Sequence, residues 1–60
     1  MPRIISFIHH TSEGLNVLQR EFTDDIREFL VKHNLPCPTW REEEIKVSSE
    51  MMDEIEKLPP

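Results

Sequence analysis

The segment from Leu15 to Asn34 limits the possible folds more than any other part of this 60-residue chain. Its apolar positions recur at helical spacing and form one stripe, made of Leu18, Phe22, Ile26, Phe29, Leu30 and His33. Such a stripe is typical of a helix that packs one face against a core. The remaining segments are short, so each must cover this stripe or be covered by it.

The stripe predicts a helix over residues 13–34, with the stronger signals in its second half, residues 23–34. Thr23 is a suitable capping residue, and the two acids that follow it lie near the positive end of the helix dipole. Asn34 is suited to a left-handed cap at the other end, and the proline shortly after it prevents continuation. We therefore expect the chain to leave the helix at Asn34.

The residues before Thr23 allow a second interpretation. Gly14 is the only glycine of the chain, and a turn there predicts an N-terminal β-hairpin over residues 3–22. In that case the helix is confined to residues 23–34. The helical spacing of the apolar residues continues without interruption through Phe22, which favours the single long helix.

Two strands and a second helix complete the predicted order. The β-branched and aromatic residues of segment 3–10 indicate a strand. Alternation predicts another strand over residues 43–48, and a capping serine followed by apolar residues at helical spacing predicts a helix over 49–58. The expected fold is a small two-layer α+β domain of β-α-β-α order, one domain over residues 1–60, whose strands are parallel if they pair directly.

The first strand is apolar on both faces. Ile5 and Phe7 point to one side, and Ile4 and Ile8 point to the other. A chain of this size has enough helix to cover one of these faces. The second face can then meet a loop of the same chain or lie at an interface. For the interface we expect Ile5 and Phe7 as contact residues, and Trp40 as a third because aromatic residues are enriched in binding hot spots.

The small size of the chain predicts that it does not act alone. A domain of 60 residues has a marginal core and usually needs disulfides, a metal or oligomerisation. Cys37 is the only cysteine, which excludes an internal disulfide. The three histidines and Cys37 lack the spacing of metal ligands, so we expect neither a metal nor a cofactor. A homodimer, a higher homo-oligomer or a larger protein partner remains.

The charge of the chain limits the choice of partner. The formal net charge is −5, and residues 41–60 carry seven Asp or Glu against three Lys or Arg. This balance disfavours nucleic acid and anionic membranes, and it favours a protein with a basic surface. The apolar runs are too short for a membrane span, and the lone thiol and the lack of a signal-peptide pattern predict a cytoplasmic protein.

These observations predict a small acidic, non-catalytic interaction or regulatory module. An enzyme is the alternative. Met1 and Pro2, followed by a strand, a long helix and a second strand in about sixty residues, resemble the 4-oxalocrotonate tautomerase family. That resemblance covers residues 2–48 and implies a general base at the amine of Pro2. Thr11 and Ser12 stand where the family has an arginine after its first strand.

Overall fold

The computed structural model describes residues 3–39 and 43–59. They form five elements: β1 (Ile4–Thr11), β2 (Gly14–Glu21), α1 (Asp24–Lys32), β3 (Glu44–Lys46) and α2 (Ser49–Lys57). The three strands make one sheet of order β2-β1-β3, in which β1 is antiparallel to β2 and parallel to β3. The predicted two-layer α+β domain is confirmed, and so is the parallel pairing of the strands predicted at 3–10 and 43–48.

The N-terminal hairpin has a short connection. Thr11 pairs with Gly14, so residues 12 and 13 form the loop. The Thr11 hydroxyl donates to the Gly14 carbonyl over 2.8 Å and accepts from the Glu13 N–H over 3.2 Å. Gly14 has φ +140°, a conformation that side chains with a Cβ rarely adopt. The single glycine therefore stands where the backbone of the turn requires it.

The predicted helix over 13–34 is wrong in its first half, because residues 14–21 form β2. The hairpin over 3–22 is the observed structure. The error has a physical cause in the spacing of Leu18 and Phe22. Two residues four apart lie on the same side of a helix and also on the same side of a strand. The four-residue spacing of these apolar side chains is therefore compatible with a helix and with a strand, and pairing with β1 selects the strand.

The helix predicted over 23–34 is confirmed as α1, and both of its predicted caps are present. The Thr23 hydroxyl accepts from the Ile26 N–H over 3.4 Å. At the other end Asn34 has φ +57°, and the Leu35 N–H donates to the Leu30 carbonyl over 2.9 Å. These bonds satisfy backbone groups that a helix end leaves unpaired.

The last third of the chain follows the prediction closely. Strand β3 is shorter than the predicted 43–48, although the Ser6 N–H also donates to the Glu43 carbonyl over 2.8 Å and the Val47 N–H to the Ile8 carbonyl over 2.8 Å. The helix predicted over 49–58 is α2, and the Ser48 hydroxyl caps it by accepting from the N–H of its third residue over 3.2 Å.

Both helices pack on the same face of the sheet, and the core lies between the two layers. Its buried side chains come from every element except β2, namely Ile5, Phe7, Ile26, Phe29, Leu30, Ile45, Val47, Met52 and Ile55. Leu18 and Phe22, at the β2 side, are half-buried against this cluster. Ile8 is also buried but does not belong to the cluster, because its side chain lies on the opposite face of the sheet.

Candidate interaction surface

The sheet has one face that the helices do not cover, which we call the open face. Directly paired residues point to the same side of a sheet, and successive residues alternate. The register therefore assigns ten side chains to this face: Ile4, Ser6, Ile8, His10, Leu15, Val17, Gln19, Glu21, Glu44 and Lys46. Neither helix covers this face, because both pack against the side of the sheet that carries Ile5 and Phe7.

The apolar part of the open face is concentrated at the hairpin end. Leu15 and Val17 are each 51% exposed, and Ile4 near the other end is 42% exposed. Ile8 pairs with Val17 on one side and with Lys46 on the other, and these neighbours leave it 9% exposed. The result is an apolar patch over two strands with solvent on its outer side.

Charge is distributed unequally between the two layers. The helices carry seven exposed carboxylates, at Asp24, Asp25, Glu28, Glu50, Asp53, Glu54 and Glu56, against three basic side chains. The open face carries Glu21, Glu44 and Lys46, and is close to neutral. The strongest field of this acidic chain therefore lies on the side of the molecule away from the apolar patch.

The two edges of the sheet differ in a way that matters for binding. Strand β3 has three residues, two of them charged, and such short charged edges resist pairing with other strands. Strand β2 has eight residues and contains neither proline nor lysine. Among the described residues β1 is its only strand neighbour.

The hydrogen-bond pattern shows which groups of β2 face outward. The Phe22 N–H donates to the Arg3 carbonyl over 2.7 Å, so this pair is a hydrogen-bonded one. Such pairs alternate along antiparallel strands. The backbone groups of residues 16, 18 and 20 therefore also bond to β1, whereas those of Leu15, Val17 and Gln19 point away from the sheet. We call this row of backbone groups the β2 edge.

A cavity of about 300 Å³ lies beside the β2 edge on the helix side. Its lining includes His9 from β1, Asn16 and Leu18 from β2, and Ser49, Asp53 and Glu56 from α2. The His9 ring is held by a contact of 3.1 Å between its Nδ1 and the carbonyl oxygen of Val47. Two carboxylates and the end of an edge strand therefore meet at one open site.

Side-chain contacts join α2 to β2 and to the end of α1. Arg20 of β2 donates from its guanidinium to the carbonyl oxygens of Ile55, Leu58 and Pro59 at the end of α2. Nε2 of His33, just after α1, lies 3.3 Å from a carboxylate oxygen of Glu54. These contacts hold α2 against both β2 and α1, and so keep the cavity wall in place.

The predicted contact residues occupy different positions from those expected. Ile5 and Phe7 have no exposed area and lie in the core, so a partner cannot contact them in the folded chain. This corrects the assignment of the contact to that face of β1. Trp40, and Pro2 of the enzyme alternative, lie outside the described residues. Cys37 is exposed in the segment between α1 and β3.

Sequence reasoning missed the contribution of β2 to the open face. The helix predicted over 13–34 includes Leu15 and Val17, and on that helix they do not share a face with Ile8. Their alternation with Asn16 is the signal for a strand, and it was outweighed by the longer helical stripe. The apolar character of Ile4 and Ile8 on the second face of β1 was recognised.

Other kinds of site have little support within residues 3–39 and 43–59. No group of three or more histidine, cysteine, aspartate or glutamate side chains in these ranges is arranged to hold a metal ion. None of the helices in them is long and apolar enough to cross a membrane. No protein-family model, curated protein or solved structure matches the chain.

Proposed function

We propose that this chain is a small, non-catalytic interaction module that self-associates by packing the open faces of two copies together. The observation that carries the proposal is the exposure of Leu15 and Val17 around a buried Ile8, on the side of the sheet opposite the core. Burying such a patch is favourable, at about 25 cal/mol for each Å² of apolar surface removed from water.

The distribution of charge supports a second copy as the occupant. Two copies packed through their open faces place their acidic helix layers on the outside of the pair, far from each other. The near-neutral face brings Glu44 and Lys46 of one copy to the corresponding residues of the other, so that opposite charges can meet across a two-fold axis. A basic partner is expected on the helix layer instead.

The size of the face predicts a weak dimer. Strands β1 and β2 have eight residues each and β3 has three, which gives a face of about 300 Å² for each copy. The total of about 600 Å² is below the roughly 1,200 Å² of a standard stable interface. We therefore expect a dimer that dissociates on dilution.

Sedimentation over a dilution series tests this proposal. The wild-type chain is expected to shift from dimer to monomer as it is diluted, and Val17→Glu should be monomeric throughout, because it places a charge at the centre of the contact. Val31→Glu is the matched control, since Val31 is 64% exposed on α1. A chain that stays monomeric at every concentration, or a dimer that persists in Val17→Glu, contradicts the proposal.

The enzyme alternative does not gain support from the fold. The resemblance to the tautomerase family rested on a strand followed directly by a long helix, and β2 stands between β1 and α1. A cytoplasmic location is part of the proposal, and the exposed lone thiol of Cys37 supports it, because such a thiol persists in a reducing compartment.

A further inference from the structure

We propose that the β2 edge binds an extended segment of another protein by strand addition, and that this segment alternates apolar and basic side chains. The inference does not rest on the dimer of the preceding subsection, because strand addition uses the outward backbone groups of β2, whereas the dimer uses the side chains of the open face. Leu15 and Val17 contribute to both surfaces. It rests on the β2 edge, on the cavity beside it and on the charge of the cavity wall.

The backbone of the β2 edge carries the first part of the argument. The outward N–H and C=O groups of Leu15, Val17 and Gln19 have no strand beside them among the described residues. This eight-residue edge contains neither proline nor lysine, two of the features by which proteins prevent strand addition. Its one charge on the helix side, Arg20, is bound to carbonyl oxygens at the end of α2. An extended peptide gains main-chain hydrogen bonds by pairing with such an edge.

The two sides of the edge then specify the side chains of the added strand. On the open face, the neighbours of the added strand are Leu15 and Val17, so apolar side chains are favoured there. On the helix side, its neighbours are Asn16, Leu18, the cavity and Arg20, whose guanidinium is bound to the end of α2. Successive side chains of a strand alternate between these two sides.

The cavity wall favours a positive charge on the helix side. Asp53 and Glu56 line the cavity from α2, and α2 has four acids against one lysine in nine residues. A lysine or arginine of the added strand extends its apolar stem over Leu18 and brings its charge to these carboxylates. A segment with acidic residues at the same positions is repelled, so the site selects by charge.

Titration with synthetic peptides tests the inference. The probe is an eight-residue peptide in which valine and lysine alternate, the length of β2. Two control peptides separate the contributions: one has glutamate for lysine, and the other is N-methylated on alternate residues so that it cannot donate to the edge. Amide NMR spectra are expected to shift at Leu15, Val17 and Gln19 with the lysine peptide, and to change little with either control.

Two variants locate the site on the protein. Gln19→Pro removes one outward N–H without removing a bond to β1, and should weaken the lysine peptide severalfold. Asp53→Asn combined with Glu56→Gln should weaken it by about three- to tenfold, as expected for exposed charge pairs, and should relieve the repulsion of the glutamate peptide. The N-methylated peptide keeps the inference testable on the wild-type chain if Gln19→Pro does not fold.

The outcomes separate this inference from the proposed dimer. Binding of the lysine peptide to a chain that sediments as a monomer supports the inference and contradicts the dimer. Absence of binding, equal binding of the N-methylated peptide, or equal binding of the glutamate peptide overturns the inference even if the dimer is present. A dimer that Gln19→Pro dissociates shows that the edge is occupied by β2 of a second copy, which also overturns it.

Discussion

Nη2 of Arg20 donates to the carbonyl oxygen of Leu58 over 2.9 Å, and thereby joins the edge strand of the sheet to the end of α2. The same guanidinium also donates to the carbonyls of Ile55 and Pro59. The last carbonyls of a helix lack partners within the helix, and a positive charge near them is favourable. One side chain of β2 therefore binds carbonyls at the end of α2 that lie 35 to 39 residues later in the chain.

Replacing Arg20 by alanine should lower the free energy of unfolding by about 1.5–3 kcal/mol, the range for hydrogen bonds that involve a charged group. Chemical denaturation measures this loss. Gln19→Ala is the control, because Gln19 is exposed on the other face of the same strand, and it should change the free energy by less than about 0.5 kcal/mol. Equal effects of the two substitutions contradict the structural role given to Arg20.

Gly14→Ala should destabilise the hairpin through its backbone. No atom lies within 4 Å of the position that a Cβ would occupy, so the cost comes from φ +140° and not from a clash. We expect a loss of about 1–3 kcal/mol in a thermal or chemical melt. Glu13→Ala, at the neighbouring turn position, should be close to neutral. A neutral Gly14→Ala contradicts the described turn.

Phe7→Ala should cost about 3–5 kcal/mol, since it removes a fully buried aromatic ring from the core. A 60-residue domain has a total stability of about 3–9 kcal/mol, so this variant is expected to be largely unfolded by circular dichroism at any protein concentration. Ile4→Ala, on the other face of β1, should remain folded. A folded Phe7→Ala variant that only loses its dimer restores the contact role first expected for Phe7.

The sequence was sufficient wherever local signals specify structure. The start of α1 at Thr23, its left-handed end at Asn34 and the cap of α2 at Ser48 each depend on one or two residues and their neighbours. Capping depends on a few consecutive residues, so it can be predicted from the sequence without knowing the rest of the fold. Four predicted segments lie within two residues of the observed bounds of β1, α1, β3 and α2, namely 3–10, 23–34, 43–48 and 49–58.

The segment before Thr23 needed information that is not local. Leu18 and Phe22 satisfy the period of a helix and of a strand together, and the choice depends on pairing with β1, whose partner residues lie from three to seventeen positions earlier in the chain. Pairing energy between strands is set by the neighbouring strand and its packing. The sequence of this segment alone therefore does not decide between helix and strand.

Which face of β1 the helices cover also depends on the whole chain. Alternation correctly separated Ile5 and Phe7 from Ile4 and Ile8, but it does not say which pair meets the helices. That choice follows from the path of the chain between the parallel strands β1 and β3, and the handedness of such connections comes from the twist of the sheet. The candidate surface consequently lies on the opposite side of β1 from the residues first assigned to it.

Intermolecular nuclear Overhauser effects between copies test the central claim most directly. A mixed sample, half isotope-labelled and half unlabelled, is measured at a concentration at which sedimentation shows dimer. We predict intermolecular contacts between the methyl groups of Ile8, Leu15 and Val17 of the two copies. Intermolecular contacts at Val31 and the helix layer, with none from these three residues, would contradict it.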